Sequence, residues 1–338
     1  MSQIPVKPGK RKSLVLNGIG QILLIVIGIL TASYVEDWNK NRIDEKEFRS
    51  ILEQIYTATF LDIQHSKLWV ARANEQLKSI NHLLTNPDAL PDSKLTLSLF
   101  GVELYGISNQ SEINKLLPFL DYHAEKYEDR EMITQITGFT EGYFWHVLAG
   151  ARDHKEIEEF LKDANIPSPN LTAGEAIDYS IWDRQDYEAV RHLIHSRELR
   201  SKLTSAKSKW EDILSALNVM AIEGKSTLDL IRTHYPELRL LFNNMGIIGG
   251  AVPTTGFVSS VPMKLIDPKK GIWEIDIELN DGVVKFRNQN SWKQNWGGQV
   301  FPNGEAEFDG YDIPVKAGKY HIILNLYDSK YEFVRQDN

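Results

Sequence analysis

Cysteine is absent from all 338 residues, which excludes disulfide frameworks, thiolate metal sites, thiol nucleophiles and anchoring through a lipid-modified cysteine. Acid is absent from the first twelve residues, which carry Lys7, Lys10, Arg11 and Lys12. Setting those four aside, 34 of the 38 basic side chains face all 46 acidic ones, a net of −12. A body that acidic repels a polyanion, and no local basic patch offsets it, so nucleic acid is not an expected partner. No phosphate loop, dinucleotide fingerprint or nucleophile elbow occurs, so the chain is read as no enzyme, with no cofactor and no metal. What is there is 42% apolar and 25% charged, the composition of folded protein, at a length that sets two domains as the starting expectation.

Charge of either sign is missing from Ser13 to Val35. Leu14 to Val35 gives 22 mostly apolar residues, about 33 Å of helix and long enough to span a bilayer. A cleaved signal peptide is the competing reading, with Thr31-Ala32-Ser33 as its cleavage site, but the run exceeds the roughly 7–15 residues of a typical apolar region. The basic residues before the span place segment 1–12 in the cytoplasm and everything after 35 across the membrane, in a bacterium the periplasm of a single-pass inner-membrane protein. Asn17, Gln21, Gly28 and Ala32 fall near one helical face, which suits a homo-oligomer through the membrane helix or, equally, contact with lipid headgroups. Gly18-Ile19-Gly20-Gln21 through Leu30, followed by Trp38-Asn39, resembles the N-terminal signature of a family of uncharacterised bacterial single-span membrane proteins. Gln21 stands where that family usually has an acid, and the resemblance implies no activity.

Glycine is scarce from 36 to 245, seven in 210 positions, and apolar residues recur at three and four. Ile51, Ile55, Ala58, Leu61 and Trp69 form one such face, so the first helix is expected to run to about Leu84 and stop at Asn86-Pro87-Asp88. Further helices are expected at 111–128, 130–150, 152–163, 184–200, 201–222 and 225–234, an all-α bundle standing on the membrane. His192 and His195, three apart, offer two imidazoles without an evident third ligand, which reads as surface and not as a metal site. Glu141, Trp145 and His146 surround Gly142 and Gly150, where close helix packing explains the small residues equally well.

At 246 the composition changes: the last 93 residues hold 11 of the 22 glycines and 3 of the 8 tryptophans. Trp273, Ile275, Ile277 and Leu279 alternate with Glu274, Asp276 and Glu278, the pattern of a half-buried strand. Asn280-Asp281-Gly282 then suits a tight hairpin that would set Glu278 opposite Lys285, Asp276 opposite Arg287 and Ile277 against Phe286. A second hairpin is expected from Tyr320 to Phe333 around Asp328-Ser329. Antiparallel strands with glycine-rich turns point to a β-sandwich over 246–338, a length able to bury a core of its own.

The loop Asn288-Gln289-Asn290-Ser291-Trp292-Lys293-Gln294-Asn295-Trp296-Gly297-Gly298 places two indoles among amides. Either they fold back as core plugs, or they form a flat apolar platform with donors and acceptors at its edge, the combination a sugar ring needs. Trp292, Trp296, Asn295 and Lys285 are the candidate ligand-binding residues, Lys285 having the pair with Glu278 as its alternative. Gly246-Ile247-Ile248-Gly249-Gly250, Gly256-Phe257, Val284-Lys285-Phe286-Arg287, Trp292, Asn295-Trp296-Gly297-Gly298 and Ala317-Gly318-Lys319-Tyr320, in that order, resemble the repeated module of the SusE and SusF outer-membrane starch-binding proteins. Phe257 replaces a tryptophan usual in that module. The resemblance implies an immunoglobulin-like or carbohydrate-binding sandwich that holds a glycan, an α-glucan, without cleaving it. A structural or assembly factor whose sandwich contacts a protein partner is the alternative.

Overall fold

The computed structural model describes residues 9–100, 113–120, 129–151, 155–167 and 182–336; the side chains of 9–33, 37–39, 41–43, 93, 97, 100, 141–151 and 155 lie outside that description. The chain forms two compact units, Met1–Ile51 and Leu52–Asn338. Helix α1, Gly9–Thr85, begins in the first. The expected membrane span at 13–35 falls on this helix, but its side chains through Ser33, with those of Glu141, Trp145 and His146, lie outside the described residues. Among the described residues no helix is long and apolar enough to cross a membrane.

In the second unit α1 ends at Thr85, just before the expected stop at Asn86-Pro87-Asp88, and Ile55, Ala58, Leu61 and Trp69 are buried as their spacing requires. It is followed by α2, Asp92–Phe100; α3, Arg130–Ala151; α4, Lys155–Asp163; α5, Arg184–Ile194; and α6, Arg197–His234. Residues 113–120 are also helical. One core joins Trp69, Leu77 and Ile80 of α1 to Leu95 of α2, Ile157 of α4 and Trp210 of α6. Asp183 starts α5 with a capping box, its carboxylate accepting from the Gln185 and Asp186 amides at 2.7 and 3.0 Å. Ser196 caps α6 by accepting from the Leu199 amide.

Three expectations for the helices are corrected. The helix expected over 184–200 breaks at His195-Ser196, where Ser196 caps a new helix. Asp92–Phe100 is helical where no helix was expected. Helix α6 runs unbroken where its sequence divides into three pieces, and Gly224 does not interrupt it. That glycine is needed for space: a Cβ there would lie 2.9 Å from Ile63 and 3.2 Å from Phe139, so α1, α3 and α6 meet at a point where only a hydrogen fits.

The chain from 245 onward forms two antiparallel sheets stacked as a sandwich. Sheet A is ordered β2-β1-β5-β6-β8, with β9 pairing the first half of β5; sheet B is ordered β3-β4-β10-β11-β7. The strands are β1 Met245–Ile248, β2 Val261–Pro262, β3 Lys264–Asp267, β4 Ile272–Leu279, β5 Gly282–Asn288, β6 Asn295–Gly297, β7 Asn303–Glu305, β8 Glu307–Phe308, β9 Ile313–Val315, β10 Gly318–Asn325 and β11 Lys330–Arg335. The Tyr320–Phe333 hairpin forms as expected, with Ile322 opposite Phe333.

The other expected hairpin does not form. Strand β4 lies in sheet B and β5 in sheet A, so the Asn280-Asp281-Gly282 turn crosses between sheets. Glu278 sits opposite Lys319, Asp276 opposite His321 and Ile277 opposite Tyr320; Lys285 sits opposite Ile248, Arg287 opposite Gly246 and Phe286 opposite Ile247. The turn's polar groups serve neighbouring segments instead of a β4–β5 ladder. The Asn280 amide donates to the Ala251 carbonyl at 2.8 Å, and the Asp281 carboxylate accepts from the Ala317 amide at 3.0 Å.

Helix α1 closes one end of the sandwich. Rings run in an unbroken series from Phe60 to Phe242 (6.0 Å between centroids), Trp296 (5.5 Å), Phe308 (5.5 Å) and His65 (4.4 Å). Gln64 Nε2 donates to Ser329 Oγ in the β10–β11 turn at 3.1 Å. Arg232 of α6 stacks on Tyr327 at 4.1 Å, and Arg239 forks onto Glu53 at 2.8 and 3.1 Å.

Candidate functional site

The pleat of sheet A sorts the four candidate residues. Phe286 of β5 packs toward Tyr331 and Phe333 of sheet B, so it faces the interior. Trp296 is directly opposite Phe286, and Phe308 opposite Trp296, so all three share that inner face. Trp296 is 1% exposed. It is a core residue, which corrects its assignment to a sugar platform: its indole has no face open to a ligand.

Lys285, Arg287 and Asn295 occupy the opposite, outward face. Asn295 is 2% exposed, and its amide is fully engaged. Its Oδ1 accepts from Lys285 Nζ at 3.0 Å, while Nδ2 donates to the Trp292 carbonyl at 2.8 Å and to Asp309 Oδ1 at 3.1 Å. Lys285 Nζ also lies 3.9 Å from Asp312. The expected Lys285–Glu278 pair is therefore absent, because the two residues belong to different sheets. Asn295 and Lys285 brace the site and hold the loop that carries Trp292.

Trp292 is the exposed member of the pair. It is 48% exposed, and its ring lies over the Arg287 guanidinium at 4.7 Å. That arginine is itself 3% exposed and held from below, Nε donating to Ser260 Oγ at 2.7 Å and Nη2 to Asn290 Oδ1 at 3.3 Å. Burial lowers the guanidinium from its ordinary value, yet arginine stays charged, and the cation–π contact contributes about 0.5–1 kcal/mol at such a site. A fixed cation beneath and a hydrogen-bonded carbonyl beside it hold the indole with half its surface open. Phe257, at 53% exposure, lies in the loop before β2.

Other residues that sequence reasoning missed line a cleft of about 570 Å³ where α1 passes strand β8. Lys67 and Arg72 of α1 face Glu305 and Asp309 across it, each pair at 3.5 Å. Leu68, Ala71 and Phe308 give it an apolar floor, and Tyr311, 71% exposed, stands at its rim. Gly297 makes the close approach at that rim possible. A Cβ there would lie 1.9 Å from the Tyr311 carbonyl oxygen, which accepts from the Gly298 amide at 2.7 Å. The recurrence of Gln64, Lys67 or Leu68, Ala71 or Arg72, and Glu75 at helical spacing was the available signal, but only the fold shows which sheet edge that stripe meets.

His192 and His195 do not share a helix: α5 ends at Ile194, and His195 Nε2 lies 3.1 Å from Asp88 Oδ1. Among the described residues no group of three or more His, Asp or Glu side chains is placed to hold a metal. Comparison with known proteins gave no family model, no curated protein and no solved structure that matches this chain.

Proposed function

We propose that the chain is a membrane-anchored, non-catalytic glycan-binding protein. Segment 1–12 is cytoplasmic, 13–35 is its single span, everything after 35 is periplasmic, and Trp292 on the outer face of the sandwich is its sugar platform. The observation that carries this reading is the mounting of Trp292. An exposed indole clamped on a buried arginine is ordered before a ligand arrives, so stacking a sugar ring on it costs little conformational entropy. Asn295 and Lys285 brace its loop from within, and the Asp309 and Asp312 carboxylates belong to the same connected set. The immunoglobulin-like or carbohydrate-binding character of the sandwich, and an α-glucan as ligand, come from the resemblance to the SusE and SusF modules.

A second reading, a structural or assembly factor, draws on the burial of Trp296 and Asn295 and on the joint between the helices and the sandwich. In that case Trp292 anchors a protein partner. A glycan array probed with the full chain, followed by calorimetry with maltohexaose, separates the two. Glycan binding predicts glucan spots and measurable heat, and a blank array with no heat would leave the partner reading.

A further inference from the structure

A row of backbone-paired residues links the strand beneath Trp292 to the cleft beside α1. Arg287 of β5 is in register with Asn295 of β6, and the Asp309 amide, just past β8, donates to the Asn295 carbonyl at 2.9 Å. At a strand spacing of about 4.7–4.9 Å this buried row sets Asp309 roughly 10 Å from the Arg287 beneath Trp292. There Asp309 turns the path: Oδ1 accepts from Asn295, and Oδ2 faces Arg72 of α1 inside the cleft. One hydrogen-bonded set thus runs from the Trp292 carbonyl through Asn295 and Asp309 to Arg72 in the cleft, which the exposed Tyr311 also lines.

The lining chemistry narrows the ligand. Lys67 and Arg72 are already matched by Glu305 and Asp309 at 3.5 Å, in exposed pairs worth little by themselves, so their remaining protons and lone pairs are open to hydroxyls. Glu75 and Glu307 add two further carboxylates and make the lining net negative, which rejects an anion. The apolar floor of Leu68, Ala71 and Phe308 and the Tyr311 ring suit the C–H faces of sugar rings. The volume, about 570 Å³, lies within the usual range for small-molecule sites of about 300–1,000 Å³.

We infer that the cleft between α1 and strand β8 is a second, unassigned subsite that takes the far end of a neutral, multi-unit glycan chain whose near end stacks on Trp292. This inference rests on the glycan reading above, but it assigns recognition to helix α1, outside the sandwich, and it sets both chain length and charge as specificity determinants.

The test is calorimetry on the full chain with glucose, maltotriose, maltohexaose and an oligogalacturonate of matching length. Affinity should rise at least tenfold from glucose to maltohexaose, and the uronate should not bind. Tyr311→Ala, at an exposed position, should keep the melting temperature, abolish the gain with length and leave maltotriose binding unchanged, whereas Trp292→Ala should weaken the whole series. Length-independent affinity, unchanged maltohexaose binding by Tyr311→Ala, or equal binding of the uronate would overturn the cleft subsite while leaving the Trp292 platform standing. Absence of heat with every sugar would remove both.

Discussion

Burial pushes the His65 imidazole below its ordinary value, with Asp309 opposing that shift and Arg72 adding to it. Its Nδ1 lies 2.9 Å from the Leu61 carbonyl, and its ring sits edge-on to Phe308. The unfolded chain then binds the proton more readily than the folded one below the ordinary histidine pKa of about 6.5. Stability is full above that pH and declines as pH falls through it toward the lower folded value. Urea midpoints between pH 8 and pH 5 should fall for the native chain and fall less for His65→Gln. Gly297→Ala is expected to cost about 1–3 kcal/mol, since the Tyr311 backbone has to give way to a new Cβ. Gly138→Ala is the control: this exposed helical glycine has nothing within 4 Å of a new Cβ, so the change should stabilise by about 0.5–1 kcal/mol. At this scale the sequence identified an aromatic loop worth attention but did not say which indole was which. Trp292 and Trp296 share a loop and a chemistry, and only the strand that begins at Asn295 turns one inward and leaves the other on Arg287.

Elements whose signal is local were legible. The α1 face at Ile55, Ala58, Leu61 and Trp69, its stop before Pro87 and the β10–β11 hairpin all follow from periodicity and turn residues within one segment. Pairing between segments was not legible. The alternation of β4 and of β5 fits either one sheet or two facing sheets, because inward residues meet in both arrangements, and the turn residues between them could not decide. The same limit applies to the joint between α1 and the sandwich. Phe60 and His65 flank Phe242 and Phe308, and Gln64 bonds Ser329, none of which the composition change at 246 reveals. The isolated segment 240–338 would expose Phe242, Phe308 and Tyr327 where α1 and α6 cover them. Its circular dichroism melt is expected to lose cooperativity or shift well below that of the full chain. A fragment that melts like the intact protein would show that the helices contribute nothing to the sandwich.

At the scale of the whole molecule, the proposal is a glycan-binding sandwich held at a membrane by segment 13–35. The topology it needs is specific: a phosphatase fused after Asn338 should be active and a reporter fluorescent only in the cytoplasm should be dark, the opposite result reversing the orientation. Charge fits a neutral ligand better than an anionic one, since the body carries a net of −12 beyond its basic first twelve residues. The central claim, that Trp292 binds glycan without holding the fold together, meets its most direct test in thermal melting of the native chain and Trp292→Ala with and without saturating maltohexaose. A ligand that binds only the folded state raises its melting temperature by mass action. Matching melting temperatures are expected for the two proteins without sugar, with a rise for the native chain in its presence and little or no rise for the variant. No rise in the native chain, an equal rise in both, or a variant already unfolding several degrees lower without sugar would contradict the claim.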